Sequence, residues 1–279
     1  MKKIEHINEL TQYIEILRQE GKTIGLVPTM GALHAGHMSL IKKAKDENDI
    51  VVSSVFVNPI QFNNKEDLDK YPRDIEKDSI LLEENNCDIL FCPKAEEVYA
   101  EEATESFSFG TLEQVMEGKQ RPGHFNGVAI IVSRLFNWVN PNKAYFGEKD
   151  FQQIAIIKDM VRQLNSPVEI VSCPIVREKD GLAISSRNMR LSPECREIAP
   201  KIHYILHKSS SIKDNLSFSQ LKSFVNNEFK MIKDFELEYF EIVDDTTLQP
   251  ISQKGKNGVV GCVAVWLGGV RLIDVERYY

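Results

Sequence analysis

The chain has 279 residues, of which 42% are hydrophobic and 27% charged, with a formal net charge of −7. This composition excludes a disordered, collagen-like or membrane-embedded chain, and the acidic balance excludes a broad nucleic-acid surface, which needs clustered Lys and Arg. Domains commonly run ~100–200 residues, so the length accommodates two.

The N-terminal stretch MKKIEHINELTQYIEILRQEG reads as an amphipathic, charged helix and lacks the apolar centre of a signal peptide. No apolar run approaches the ~20 residues that span a bilayer, so no membrane partner is expected. Five cysteines (Cys87, Cys92, Cys173, Cys195 and Cys262) are odd in number and lack paired metal-ligand spacing. A reducing cytoplasm suits them.

Short β-branched runs then alternate with helix-like stretches: TIGLVPT, a helix over Ser39–Glu47, DIVVSSVFVN, a helix over Asp74–Asn86, and DILFCP. The alternation continues with a helix near Gly127–Val139, the strand KAYFGE, a helix over Phe151–Leu164, and VEIVSCPIV. Five strands joined by helices predict βαβ units and an α/β fold with a parallel sheet. From about Arg177 the character changes to helices over Pro193–Ser209 and Ser217–Asp234 followed by LEYFEIVD, GVVGCVAVWLGG and VRLIDVERY. These read as a smaller α+β domain, which places the boundary between residues 1–175 and 176–279.

Ligand sites in parallel α/β sheets lie where strands end and helices begin. The first strong strand ends in Pro28-Thr29-Met30-Gly31, and His34-Ala35-Gly36-His37 follows before a helix expected from about Met38. A helix N-terminus offers unpaired N–H groups and the positive end of a dipole, which suits phosphate. Gly31 and Gly36 allow close backbone approach. Two histidines three residues apart face one way on a helical turn and can donate to phosphate oxygens.

Two further polar loops occur at strand ends. In Gly147-Glu148-Lys149-Asp150, the lysine is a compact charge for a phosphate; alternatively the turn is a solvated helix start capped by Asp150. In Ile184-Ser185-Ser186-Arg187, two hydroxyls and a guanidinium can hold a triphosphate, although such a run taken alone is an ordinary loop. The chain contains no G-x-x-x-x-G-K-[ST] sequence and no well-placed G-x-G-x-x-G, which disfavours kinase and dehydrogenase chemistry. A histidine-bearing helix N-terminus with a late Ser-Ser-Arg loop resembles the layout of the H-I-G-H nucleotidyltransferases.

Six blocks make the resemblance specific: VPTMGALHAGHMSLI, SVFVNPIQF, YPRD, RPGHFNGV, NPNKAYFGEKDFQQ and DGLAISSRN, in order from residue 27 to about 188. Together they resemble the pantothenate synthetases, or pantoate–β-alanine ligases. The resemblance implies a Rossmann-like N-terminal domain, a smaller C-terminal domain that closes over ATP, and a homodimer. It further implies that pantoate attacks the ATP α-phosphate with Mg²⁺ on the phosphates, giving pantoyl adenylate and pyrophosphate. β-Alanine then attacks the acyl carbon and releases AMP. Its ammonium, with a pKa near ~10 in water, must first lose a proton.

Residue by residue, the resemblance assigns the loop Met30, Gly31, Ala32, Leu33, His34, Ala35, Gly36 and His37 to ATP, with His37 as proton donor and His34 as a second nucleotide contact. Gly147, Glu148, Lys149, Asp150, Val176, Ile184, Ser185, Ser186 and Arg187 continue the ATP site, with Lys149 and Arg187 neutralising phosphate charge. Gln61 and Gln153 correspond to the pantoate glutamines, and Gln61 also lies beside β-alanine. Asn58, Tyr71, Arg121 and His124 are weaker correspondences, and Phe125, Phe136 and Trp138 read as core or dimer packing. The departures from the family pattern, Ile184 and Ile60, are apolar and leave charge unaltered. A sister nucleotidyltransferase shares the HxGH loop but is not expected to repeat both NPIQF and FGEKDFQQ; a non-catalytic nucleotide sensor is disfavoured by the full set of charged loop residues.

Overall fold

The computed structural model describes residues 1–101 and 104–279. In chain order the elements are β1 (Lys2–Ile4), α1 (Ile7–Gln19), β2 (Ile24–Thr29), α2 (Ala35–Glu47), β3 (Ile50–Val55), α3 (Lys65–Asp69) and α4 (Ile75–Glu84). There follow β4 (Ile89–Phe91), α5 (Ala95–Val98), α6 (Met116–Gln120), α7 (His124–Val139), β5 (Lys143–Gly147), α8 (Phe151–Gln163) and β6 (Glu169–Cys173). The last third contains α9 (Pro193–Ile198), α10 (Lys201–Ile212), α11 (Phe218–Lys230), β7 (Phe235–Asp244), β8 (Val259–Leu267) and β9 (Val270–Arg277). Among the described residues no helix is long and apolar enough to cross a membrane.

Two compact units divide the chain. The first comprises Met1–Phe109, Arg121–Gly147 and Gln153–Pro174. Its six strands form one parallel sheet in the order β1-β4-β3-β2-β5-β6, an α/β, Rossmann-like arrangement. The interior strands read as near-continuous apolar runs because helices cover both faces: Ile24, Leu26, Val27, Val51 and Val52 are all fully buried. Strand order reverses between β2 and β5, so the carboxyl ends of these two strands, at Thr29 and Gly147, flank the switch point where such sheets bind ligands.

The sixth strand, β1, is absent from the sequence reading, which assigns residues 1–21 to a helix alone. Three residues are too few to show alternation, and only the pairing of Lys2–Ile4 with Ile89–Phe91 makes them a strand.

The second unit comprises Gly110–Gln120, Glu148–Gln152 and Ile175–Tyr279. Its antiparallel sheet runs β7-β8-β9, and β8 turns into β9 through Gly268 and Gly269, both at positive φ as a tight two-residue hairpin requires. Helices α10 and α11 pack on this sheet through a core that includes Leu206, Leu221, Val225 and Phe229. The single helix expected over Pro193–Ser209 is two, α9 and α10, because Pro200 cannot donate an interior helical hydrogen bond.

A partly buried ionic cluster ties the 110–120 segment to this sheet. Arg271 on β9 forms two bonds of 2.7 Å to the Glu117 carboxylate and one of 3.0 Å from Nε to Glu238. Tyr239 donates to Glu117 at 2.7 Å. The register of β7 against β8 shifts between Leu237 and Tyr239, which inserts Glu238 as an extra residue and directs it to Arg271 and to the Trp266 indole. Gln152 completes the attachment by donating to the Leu112 and Val115 carbonyls and accepting from the Glu117 N–H.

Candidate active site

In the first unit, β2 delivers Thr29 to the rim of the sheet. The Thr29 hydroxyl donates to the Ser54 carbonyl at 2.7 Å and accepts from the Gly31 N–H at 3.1 Å, which starts the turn. Gly31 (φ +81°) and Ala32 (φ +49°) both occupy the left-handed region. A Cβ on Gly31 would lie 2.8 Å from an Asp78 carboxylate oxygen, so this position admits glycine alone without rearrangement. Ala32 carries the strain that remains, and a clamp holds it there. The Asp78 carboxylate, on α4, accepts from the Ala32 N–H at 2.9 Å and the Leu33 N–H at 2.7 Å. Burial pushes the Asp78 carboxyl above its ordinary range, opposed by these two N–H bonds.

The chain enters α2 at Ala35, earlier than the Met38 start expected from sequence, with His34 as extended N-cap residue. Gly36 and His37 therefore lie in the first helical turn. The His34 N–H donates to His37 Nδ1 at 3.3 Å, and the two imidazoles meet at a tilt of 31° with centroids 4.0 Å apart. An Nδ1 that accepts a backbone N–H holds a lone pair, so the neutral His37 ring carries its proton on Nε2 and can donate it from a helix N-terminus. A Cβ on Gly36 would come within 3.0 Å of the His34 ring, which explains the small residue between the two histidines.

Gln61 closes the first group. It ends a short 3₁₀ turn, Pro59–Gln61, and its Nε2 lies 3.1 Å from the Met30 sulfur, so the loop and this glutamine meet within one unit. Buried Asn58 donates to Gln61 Oε1, and His124 Nδ1 lies 2.8 Å from the Gln61 carbonyl. Because a carbonyl only accepts, His124 donates from Nδ1 and presents Nε2 to Arg121 at 3.1 Å. Tyr71 is buried edge-on to Phe62. Gln153 is half-buried in the first turn of α8, and Gly147 ends β5. Phe125 and Phe136 are core residues of α7, and Trp138 packs edge-on to Phe91.

The second unit holds the remaining predicted residues. Glu148–Asp150 form a 3₁₀ turn in which Glu148 accepts from Arg277 at 3.2 Å and Lys149 pairs with Asp150 at 3.1 Å. Val176 and Ile184 are joined by a backbone bond of 3.0 Å across a small hairpin that turns at Gly181 (φ +94°). That hairpin is braced by Arg177, whose guanidinium makes two bonds, of 2.7 and 2.9 Å, to the fully buried Asp274 carboxylate. Ser185 caps the following 3₁₀ turn by accepting the Arg187 N–H at 3.3 Å, and Ser186 is buried.

Sequence reading misses Asp78 and Arg177 because neither belongs to a recognisable motif. A signal was present for Asp78: it shares the buried stripe of α4 with Leu82, and a carboxylate on an apolar stripe needs a polar partner.

A strand at the switch point of a parallel sheet that ends in a helix N-terminus bearing two histidines defines a Rossmann-like α/β protein with a candidate ligand site at that loop. A family model described as pantoate-beta-alanine ligase matches residues 2–276. The chain belongs to this family, and it is an enzyme, an acid–amino-acid ligase. Pantothenate synthetase from Phocaeicola vulgatus is 54% identical over 280 residues, covering 100% of this chain and 99% of that protein. The crystal structure of pantothenate synthetase from Thermus thermophilus superposes with a TM-score of 0.94 at 42% identity, covering 100% of both chains. Pantoate-beta-alanine ligase from Francisella tularensis, solved in complex with beta-gamma ATP and beta-alanine, has a TM-score of 0.83 at 36% identity and covers 100% of this chain and 98% of its own.

Proposed function

We propose that the protein condenses pantoate with β-alanine through a pantoyl-adenylate intermediate. A pantoate carboxylate oxygen bonds to the ATP α-phosphorus as the bond to pyrophosphate breaks. The deprotonated amine of β-alanine then bonds to the acyl carbon, and AMP leaves with the former carboxylate oxygen. Mg²⁺ enters as part of the substrate, MgATP, held chiefly by the phosphates.

The observation that carries this reading is the loop from Met30 to His37. It combines the N–H groups of a helix N-terminus with an imidazole whose proton is on Nε2. Phosphoryl-type displacement needs charge neutralisation and in-line positioning more than covalent help from the protein. His37 and His34 supply hydrogen bonds to the nucleotide, His37 as proton donor. Lys149 and Arg187 supply charge, Ser185 and Ser186 supply hydroxyls, and the backbone of Gly147 to Asp150, Val176 and Ile184 frames the nucleotide. Gln61 and Gln153 take pantoate, and Gln61 borders β-alanine. The ligand pair captured in the Francisella relative supports ATP and β-alanine as substrates.

The same reading makes the enzyme a cytoplasmic homodimer; the five cysteines, all free thiols, suit a reducing compartment. Omission of substrates in turn tests the reaction. ATP with pantoate alone is expected to support pyrophosphate exchange, and steady AMP release is expected only when β-alanine is added. Release of ADP and phosphate, or AMP release independent of pantoate, would overturn the proposal.

A further inference from the structure

The surroundings of Gln61 fix which end of its amide faces outward, starting from the backbone carbonyl of Gly127. The Gly127 carbonyl can only accept, so the Asn58 side-chain atom 3.0 Å from it is the Nδ2 donor. The other Nδ2 hydrogen goes to Gln61 Oε1, also at 3.0 Å. Asn58 Oδ1 is left facing the Tyr99 hydroxyl at 2.5 Å, which donates to it. Asn58 is 1% exposed and Gln61 8%, so water is not available to scramble these roles. With Oε1 engaged, Gln61 presents Nε2, which rests on the Met30 thioether, a weak acceptor that a stronger one can displace.

We propose that Tyr99 is a positioning residue for the ligase reaction: through Asn58 it locks the Gln61 amide with its N–H donors outward, so that this subsite selects an acceptor such as a carboxylate or hydroxyl oxygen. Tyr99 is built for a constant donor. Burial pushes its phenol up to about 12, so it stays protonated throughout the neutral range. Its ring is held beneath the Arg134 guanidinium, 5.1 Å from the ring centre, and Arg134 is itself fixed by Glu105 at 2.8 Å. Without the hydroxyl, Asn58 Oδ1 is a buried acceptor without a donor, and the amide relaxes away from Gln61.

The inference rests on the assignment of Gln61 to pantoate, and the test separates the two. Tyr99→Phe keeps the ring and its packing. It is expected to raise the pantoate KM about ten-fold, the effect of one misdirected hydrogen bond, with the ATP KM unmoved. In a Gln61→Ala background the same substitution is expected to add nothing to the pantoate KM. Asn58→Asp, which breaks the chain at Gly127, is expected to show the same pantoate-selective defect. Nuclear Overhauser contacts between the Gln61 side-chain NH₂ and the Met30 methyl report the amide directly; they are expected in the unmodified enzyme and lost in Tyr99→Phe. An equal rise in pantoate KM with and without Gln61, or retention of the Overhauser contact in Tyr99→Phe, would overturn the relay. Loss of that contact while Gln61→Ala leaves the pantoate KM unchanged would uphold the relay and overturn the pantoate assignment instead.

Discussion

Replacing His37 with alanine is expected to lower pantoate-dependent ATP–pyrophosphate exchange by roughly 10²–10⁴-fold, the usual contribution of a positioned proton donor. The structure provides the reason in steps. Gly31 and Ala32 turn the chain through left-handed backbone, Asp78 clamps the turn by two N–H bonds, and α2 opens at Ala35 with His37 in its first turn. The His34 N–H occupies His37 Nδ1, which leaves Nε2 as the donor. His37→Gln retains an N–H donor without the imidazole and is expected to recover part of the loss. Exchange at the unmodified rate in His37→Ala would remove the residue from this role.

The second large effect concerns stability. Arg271→Ala is expected to destabilise the second unit by roughly 2–3 kcal/mol, less than the ~3–5 kcal/mol of a fully buried pair, because it strands two partly buried carboxylates. The Arg271, Glu117 and Glu238 side chains are 15%, 13% and 20% exposed, and the guanidinium bonds to both acids. Burial also pushes the Tyr239 phenol well up, so its hydroxyl remains a donor to Glu117 and cannot replace the missing charge. Arg271→Lys restores the charge without the two-pronged geometry and is expected to fall between the two. Urea unfolding in a Trp138→Phe background, followed by the fluorescence of Trp266, which hydrogen-bonds Glu238 in the same cluster, reads the effect locally. An unchanged Trp266 transition midpoint in Arg271→Ala would contradict it.

Much of the candidate site was legible because its signals are local. Pro28 to His37 carries a strand end, two glycines and two histidines within one turn's reach, and the interior strands announce themselves as buried β-branched runs. The remainder depends on pairings between residues distant in the chain. Glu117 meets Arg271 across 154 residues, which is what draws the 110–120 segment into the second unit without any shift in composition to mark it. Asp78 reaches Ala32 across 46 residues, and Tyr99 reaches Asn58 across 41. β1 is hidden for the same reason, since Lys2–Ile4 becomes a strand only beside β4. Local sequence identified groups that carry the proposed chemistry; the residues that hold those groups in place became visible only in the fold.

In the adenylate route the acid's own oxygen makes the bond to the α-phosphorus, and label transfer reads this without intermediaries. Pantoate labelled with ¹⁸O in its carboxylate, turned over with ATP and β-alanine, is predicted to deliver one labelled oxygen to each AMP formed. AMP free of label, or label recovered in pyrophosphate or inorganic phosphate, would contradict the adenylate route.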